Sequence, residues 1–252
     1  MPHSTKTEAK PRSPAIRMIS ALRRLFSKSD APVVFQYWDQ SPPPEIANWM
    51  QSWCKVEPDF KLEQFDSETA ASFIQLHIGA RAEAGYRMCR APAMKSDFFR
   101  YCALFARGGI YADADTAYKG DLASLYELGS SGLLLRRTKG VRVRLTNSFM
   151  IVRHAGNPLL EYAIDSAMKN IHAKRSQSVW EVTGPGVLRQ AYNSERRADF
   201  FSGFAILQMH STPVKRVIAF QKGEYKKGER DWRRMKEAGV SIYQENSDAG
   251  VS

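Results

Sequence analysis

The sequence predicts an α/β fold with a mostly parallel central sheet, and three observations predict it. Its 252 residues are enough for one large buried core. Hydrophobic residues make up 43% and charged residues 25%, an ordinary globular composition that excludes a disordered chain, a collagen or a coiled coil. Strand-like and helix-like patterns alternate at the spacing of βαβ units, which favours parallel pairing. No internal repeat or long internal linker divides the chain. The expectation is a single domain over 31–252 behind a basic extension over 1–30.

The elements follow in order. Val33 to Trp38 is a β-rich run that ends in Asp39, Gln40 and three prolines, so a strand runs into a turn. Glu45 to Trp53 has helical periodicity through Ile46, Trp49, Met50 and Trp53. Phe60 to Phe65 alternates like a half-buried strand, and Ser67 with Glu68 opens a helix through Phe73, Ile74 and His77. Met94 to Arg107 reads as a second strong helix, stopped by Gly108 and Gly109. Ile110, Tyr111 and Ala112 form a short strand that runs into acids. Leu133–Leu135 and Ser148–Val152 read as further strands. Pro158 to Ile171 is helical, and Gly184-Pro185-Gly186 breaks the chain before another helix.

The formal net charge is +11, from 37 Lys and Arg against 26 Asp and Glu. Such an excess implies an anionic partner: nucleic acid, a membrane surface or a phosphorylated substrate. Residues 1–30 hold seven basic and two acidic side chains. The first fifteen read as a disordered tail. Ile16, Ile19, Leu22, Leu25 and Phe26 then recur at helical spacing, with Arg17, Arg23, Arg24 and Lys28 elsewhere on the helix. That short basic helix could lie on anionic lipid or simply pack on the domain. A second basic patch spans Lys222 to Lys236. No stretch of eighteen apolar residues predicts a membrane span, and the polar start shows no secretory signal. Cys54, Cys89 and Cys102 make neither a CxxC pair nor a disulfide framework, which suits a reducing, cytoplasmic setting.

The chemistry concentrates between Ser96 and Thr116. Asp97 and Arg100 are three apart on a helix and share a face. Asp113 and Asp115 are two apart in a segment read as extended, just past a strand, so they share a side. Ligands of open α/β sheets bind beyond the carboxyl ends of strands. Two carboxylates there repel unless a cation lies between them, and hard oxygen ligands suit Mg²⁺ or Mn²⁺ with substrate phosphate completing the shell. A bare pair of this kind is often a solvated turn, and Arg100 with Asp97 also reads as a plain intrahelical ion pair. The surrounding twenty residues sharpen the reading.

The gapless pattern SDxxRxxxLxxxGGxYxDxD over residues 96–115 resembles the DXD sugar-binding region of the family-32 glycosyltransferases, with the likeness extending from Val33 to about Tyr243. The resemblance implies a GT-A-type, Rossmann-like nucleotide-diphospho-sugar transferase fold. It also implies a divalent metal, Mn²⁺ or Mg²⁺, and a nucleotide-sugar donor such as a UDP- or GDP-sugar. Asp115 would be the principal metal ligand, and Asp113 would hold ribose or sugar hydroxyls and help with the metal. Asp97 and Arg100 would bind the donor sugar, and Tyr111 would pack near the nucleotide. Trp38, with Tyr37 behind it, would stack on the base, although a Trp at a strand end is as readily a core residue. Asn147 would face the donor sugar or β-phosphate. Thr183-Gly184-Pro185 would shape the acceptor side. The C-terminal third departs most from the family, with Asp231 as a candidate metal ligand and Lys226 as a candidate diphosphate partner. His210 reads as structural.

The activity so implied is retaining, metal-dependent transfer of a sugar to a glycan or lipid-linked acceptor, as in bacterial surface polysaccharide synthesis. The protein would work in the cytoplasm, with peripheral attachment at the inner face of an anionic membrane. Two rivals account for less. A haloacid-dehalogenase-type phosphatase also puts DxD after a strand, but needs Thr or Val two residues past the second Asp, where this chain has Ala117. A non-enzymatic nucleic-acid binder explains the charge but not paired acids at a strand end, and no specific nucleic-acid signature is present. Nothing in the sequence points to an oligomeric state.

Overall fold

A computed structural model describes residues 31–139, 142–227 and 231–244. Contacts separate Met1–Ala31 from Pro32–Ser252, and only the second unit is described below. The expected tail and basic helix lie outside the described residues.

Six strands form the main sheet, in the order β2-β1-β3-β6-β5-β7. They are β1 (Val33–Tyr37), β2 (Lys61–Phe65), β3 (Gly109–Ala112), β5 (Gly132–Lys139), β6 (Arg142–Val152) and β7 (Phe204–Gln208). Two short strands, β4 (Thr116–Tyr118) and β8 (Ile218–Phe220), pair separately and antiparallel. In the main sheet β1 is parallel to both β2 and β3, and β5 to β7. Strand β6 runs against both neighbours. The reason is local: Lys139 of β5 pairs with Arg142 of β6, a hairpin connection that only antiparallel strands can make. The sheet is thus mostly parallel with one reversed strand.

Successive strand residues point to opposite faces, and here both faces are covered, so the strands read as continuous apolar runs. Phe35, Tyr37, Tyr111, Leu134 and Met150 face one core. Helices α2 (Ser67–His77), α3 (Ala80–Arg87), α4 (Pro92–Arg107) and α5 (Pro158–His172) pack there. Val34, Ile110, Ala112, Leu133, Leu135, Phe149 and Ile151 face the other core, with Trp53 and Phe60. Helix α1 (Pro44–Ser52) adds Ile46 and Met50 to a small cluster that includes Ala114 and touches Trp38. No described helix is long and apolar enough to cross a membrane.

Two departures from the sequence reading have simple causes. Helix α2 does open at Ser67, but its cap is the residue before, Asp66, which accepts hydrogen bonds from the Glu68 and Thr69 amides at 3.0 and 2.8 Å. Helix α3 carries no apolar stripe because it packs through small residues: a Cβ on Gly85 would sit 2.6 Å from the Met168 sulfur. The double glycine after α4 is demanded by geometry. Gly109 has φ +104°, and a Cβ there would lie 2.5 Å from the Val33 carbonyl, so only glycine lets α4 turn into β3 against β1.

This topology places the site. From β1 the chain first crosses to β2 on one side and later returns to β3 on the other. The carboxyl ends of β1 and β3 therefore flank the point where strand order reverses, the usual crevice for ligands in open α/β sheets. Trp38 follows β1 there, and Asp113 follows β3.

Candidate active site

Past β3 the chain does not stay extended. The Thr116 amide donates to the Asp113 carbonyl at 2.8 Å, closing residues 113–116 into a turn. Ala114 is its inward peg, 4% exposed against Ile46 and Met50. Three backbone bonds fix the turn: Asp113 N–H to the Ser148 carbonyl, the closing bond, and Gln221 N–H to the Asp115 carbonyl.

On the inner side of the turn is a buried polar network. Arg100 rises from α4, with its side chain 4% exposed. Its Nη2 lies 3.1 Å from Asp97 Oδ1 and 3.0 Å from Asp113 Oδ1, and also donates to Ser96 Oγ at 2.7 Å. Its Nη1 donates to the Asn147 carbonyl at 2.6 Å. The Tyr111 ring supports the guanidinium from 4.5 Å, and the Tyr111 hydroxyl is 2.8 Å from Ser96 Oγ. Asn147, on β6, donates its amide to Asp97 Oδ1 at 2.8 Å and to the Tyr101 hydroxyl at 3.0 Å. Thr183 Oγ1 reaches Asp97 Oδ2 at 3.4 Å, and Tyr101 donates to the Gly184 carbonyl at 3.3 Å. Burial pushes the Asp97 carboxyl upward, against the pull of Arg100, Asn147 and Thr183. Burial also works to lower the Arg100 guanidinium; the charges of Asp113, Tyr111 and Asp97 outweigh it and hold Arg100 above its ordinary value.

The other side of the turn is more open. The Asp115 Oδ2 accepts a 2.8 Å hydrogen bond from the Tyr225 hydroxyl. Tyr225 sits in a short 3₁₀ turn, Glu224–Lys227, and its ring meets Trp38 edge-on at 5.1 Å. Glu45 on α1 accepts the Tyr225 and Glu224 amides at 2.9 and 3.2 Å. Burial raises the Tyr225 phenol first, followed by Asp115 and then by the charges of Asp113 and Asp231.

The structure thus brings together Trp38, Asp97, Arg100, Asp113, Asp115 and Asn147 around one strand-end crevice. Three expectations need correction. Tyr37 points away from the crevice: it is 3% exposed, its hydroxyl is 3.0 Å from that of Tyr86, and its ring packs on Phe99. The cause is strand alternation, which sends Tyr37 and Trp38 to opposite faces. Tyr111 is fully buried, so it reaches a ligand only through Arg100. Asp231 caps the helix Trp232–Glu237, accepting from the Arg233 amide at 2.9 Å and pairing with its guanidinium at 3.1 Å. It caps that helix while its charge still reaches the Tyr225 phenol, and no group of three or more His, Cys, Asp or Glu able to hold a metal occurs among the described residues. Lys226 falls in the 3₁₀ turn, and its side chain lies outside the described part. Sequence reasoning missed Tyr225 and Glu45. Neither lies in a recognisable pattern, and only the β4–β8 pairing carries the Tyr225 segment back to the acids.

Residues 43–131 match the family model described as the glycosyltransferase sugar-binding region containing the DXD motif. The initiation-specific alpha-1,6-mannosyltransferase of Schizosaccharomyces pombe is 32% identical over 87 residues, covering 32% of this chain and 22% of that protein. Its Candida albicans namesake is 34% identical over 93 residues, covering 33% and 23%. The matched stretch thus spans less than a quarter of each of these relatives. Among solved structures, the PaToxG glycosyltransferase superposes with TM-score 0.51 at 16% identity, over 92% of this chain and 89% of that one, a likeness of fold. The DXD turn at the strand-end crevice thus lies within a stretch, residues 43–131, that matches the glycosyltransferase sugar-binding region containing the DXD motif, on a fold like that of the PaToxG glycosyltransferase.

Proposed function

We propose that the protein is a metal-dependent, retaining glycosyltransferase that moves a sugar from a UDP- or GDP-sugar to a glycan or lipid-linked acceptor. One observation carries this reading. The Asp113–Asp115 turn stands at the reversal point of the sheet, with a buried arginine on one side and an aromatic ring on the other.

The donor set fits a hard divalent ion. Asp113, 27% exposed at its side chain, and Asp115 offer carboxylate oxygens, and with no third such ligand grouped beside them among the described residues the remaining positions would go to diphosphate and water, the arrangement Mg²⁺ and Mn²⁺ accept. A bound ion would neutralise charge that builds on the diphosphate as the sugar–phosphate bond breaks. The chain's own residues do the rest. Asp97 and Asn147 lock Arg100, and Arg100 holds Asp113 Oδ1 at 3.0 Å, fixing that carboxylate beside the crevice. Trp38 offers a ring for the base. Because these groups are held before the donor arrives, little reorganisation is needed during reaction.

Membrane attachment through residues 1–30 and a role in surface polysaccharide synthesis at the cytoplasmic face are part of the same proposal, supported by the basic, amphipathic sequence of that segment. Deleting residues 1–30 should weaken binding to anionic liposomes and spare donor hydrolysis. The central test is hydrolysis of a panel of nucleotide sugars with and without Mn²⁺, with the product anomer read by NMR. Metal-dependent release from at least one donor, lost in Asp115→Asn, supports the reading; no release from any donor, with nucleotide binding unchanged in Asp115→Asn, overturns it.

A further inference from the structure

Residues 221–225 form a strap across the open side of the crevice. It leaves β8, which pairs with β4 directly after the acidic turn, Thr116 opposite Phe220. Gln221 N–H holds the Asp115 carbonyl at 2.8 Å, and two residues of the strap's end are tied to Glu45 of α1. Gly223 allows the fold-back: a Cβ there would lie 2.5 Å from the Tyr225 ring and 3.0 Å from Glu45 Oε1. The result is that Tyr225 reaches both ligand-facing groups of the open side at once, its hydroxyl on Asp115 Oδ2 and its ring against Trp38.

We propose that Tyr225 is an internal occupant of the site, holding the Asp115 oxygen that a divalent cation takes and covering the Trp38 ring that a base takes. This rests on the metal–nucleotide reading of the site. A phenol O–H donating to Asp115 Oδ2 takes a lone pair of that oxygen and fills the space beside it, and a cation needs both, so the two compete at one atom. Occupancy by Tyr225 leaves the carboxylate satisfied when no ligand is bound, and cation entry releases the strap. Metal binding and strap movement are then one equilibrium, and each shifts the other by the same factor. A residue that merely oriented Asp115 for the cation would give the opposite sign when its hydroxyl is removed.

The test uses the full chain and Mn²⁺ alone, with free Mn²⁺ counted by its spin-resonance signal. Tyr225→Phe should bind Mn²⁺ roughly five- to tenfold more tightly than the unaltered protein, the size expected for removing one competing hydrogen bond of ordinary net strength. Gly223→Ala, which displaces the ring but keeps the hydroxyl, should shift affinity in the same direction. Trypsin cleavage after the exposed Lys222 should quicken on addition of Mn²⁺. Equal or weaker Mn²⁺ binding by Tyr225→Phe overturns the occupancy proposal and leaves the site reading standing. Mn²⁺ binding that survives Asp115→Asn, or none by any of these proteins, overturns the site reading and the occupancy proposal with it.

Discussion

On one side of the acidic turn, the buried Arg100 is gripped by two carboxylates, a serine, a backbone carbonyl and an aromatic ring. On the other side, Asp115 meets a phenol delivered by a surface strap. The first half resembles a protein core in its dependence on complete pairing, because any unpaired charge there carries a desolvation cost. The second half exchanges partners cheaply, because water and ligands reach it. The difference teaches a division of labour: the buried half sets geometry, and on the proposed function the open half would do the binding. Stability and activity should therefore respond to different residues.

The largest expected effect breaks the buried half. Arg100→Ala leaves Asp97 uncompensated and should cost about 3–5 kcal/mol of folding stability, measured by urea unfolding. Arg100→Lys should recover part of that loss, since a lysine restores charge without the forked geometry. In the open half, Asp115→Asn should leave unfolding nearly unchanged while lowering metal-dependent donor turnover roughly 10²–10³-fold, the scale of losing one transition-state-stabilising group. A large stability loss in Asp115→Asn would erase the distinction. Trp38→Ala should weaken nucleotide binding by about 1–3 kcal/mol, the scale of one base–aromatic stack, read by calorimetry, with Trp38→Phe losing less.

The smallest effect lies outside both halves and calibrates them. Asp66→Ala removes the cap of α2 and should cost about 1 kcal/mol at neutral pH. The Thr69 amide and hydroxyl hold the Asp66 carboxyl below its ordinary value. A carboxyl depressed in the folded state stabilises above its unfolded range and loses that contribution as pH falls through the folded value. The gap in thermal midpoint between Asp66→Ala and the unaltered protein should therefore shrink in acid.

Much of the fold was legible because its signals are local. The strand of Val33–Tyr37, the helix of Pro158–His172 and the double glycine each follow from periodicity or a steric demand within a few residues. The reversed strand β6 was not legible, since a buried apolar run carries no direction. In the site, Asp97, Arg100, Asp113 and Asp115 form one continuous stretch, and the structure gathers them. Tyr37 misled because the two adjacent aromatics look alike in sequence, while the pleat sends one to the core. Asp231 misled because a carboxylate before a helix reads equally as ligand or cap. Tyr225 was invisible because its role depends on a strand pairing between distant segments.

That distant pairing also orders events in time. The acidic turn leaves the ribosome about a hundred residues ahead of the strand that closes it, Thr116 before Phe220, an interval of several seconds at ordinary synthesis rates of about 5–20 residues per second. During that interval β1 to β3 can already pair, but Asp115 has neither its backbone partner nor its phenol. The acidic end of the crevice is thus completed long after the main sheet, and a chain stalled or cut before Ile218 would keep the strands of the main sheet while its acids remained exposed to whatever cation the cell supplies.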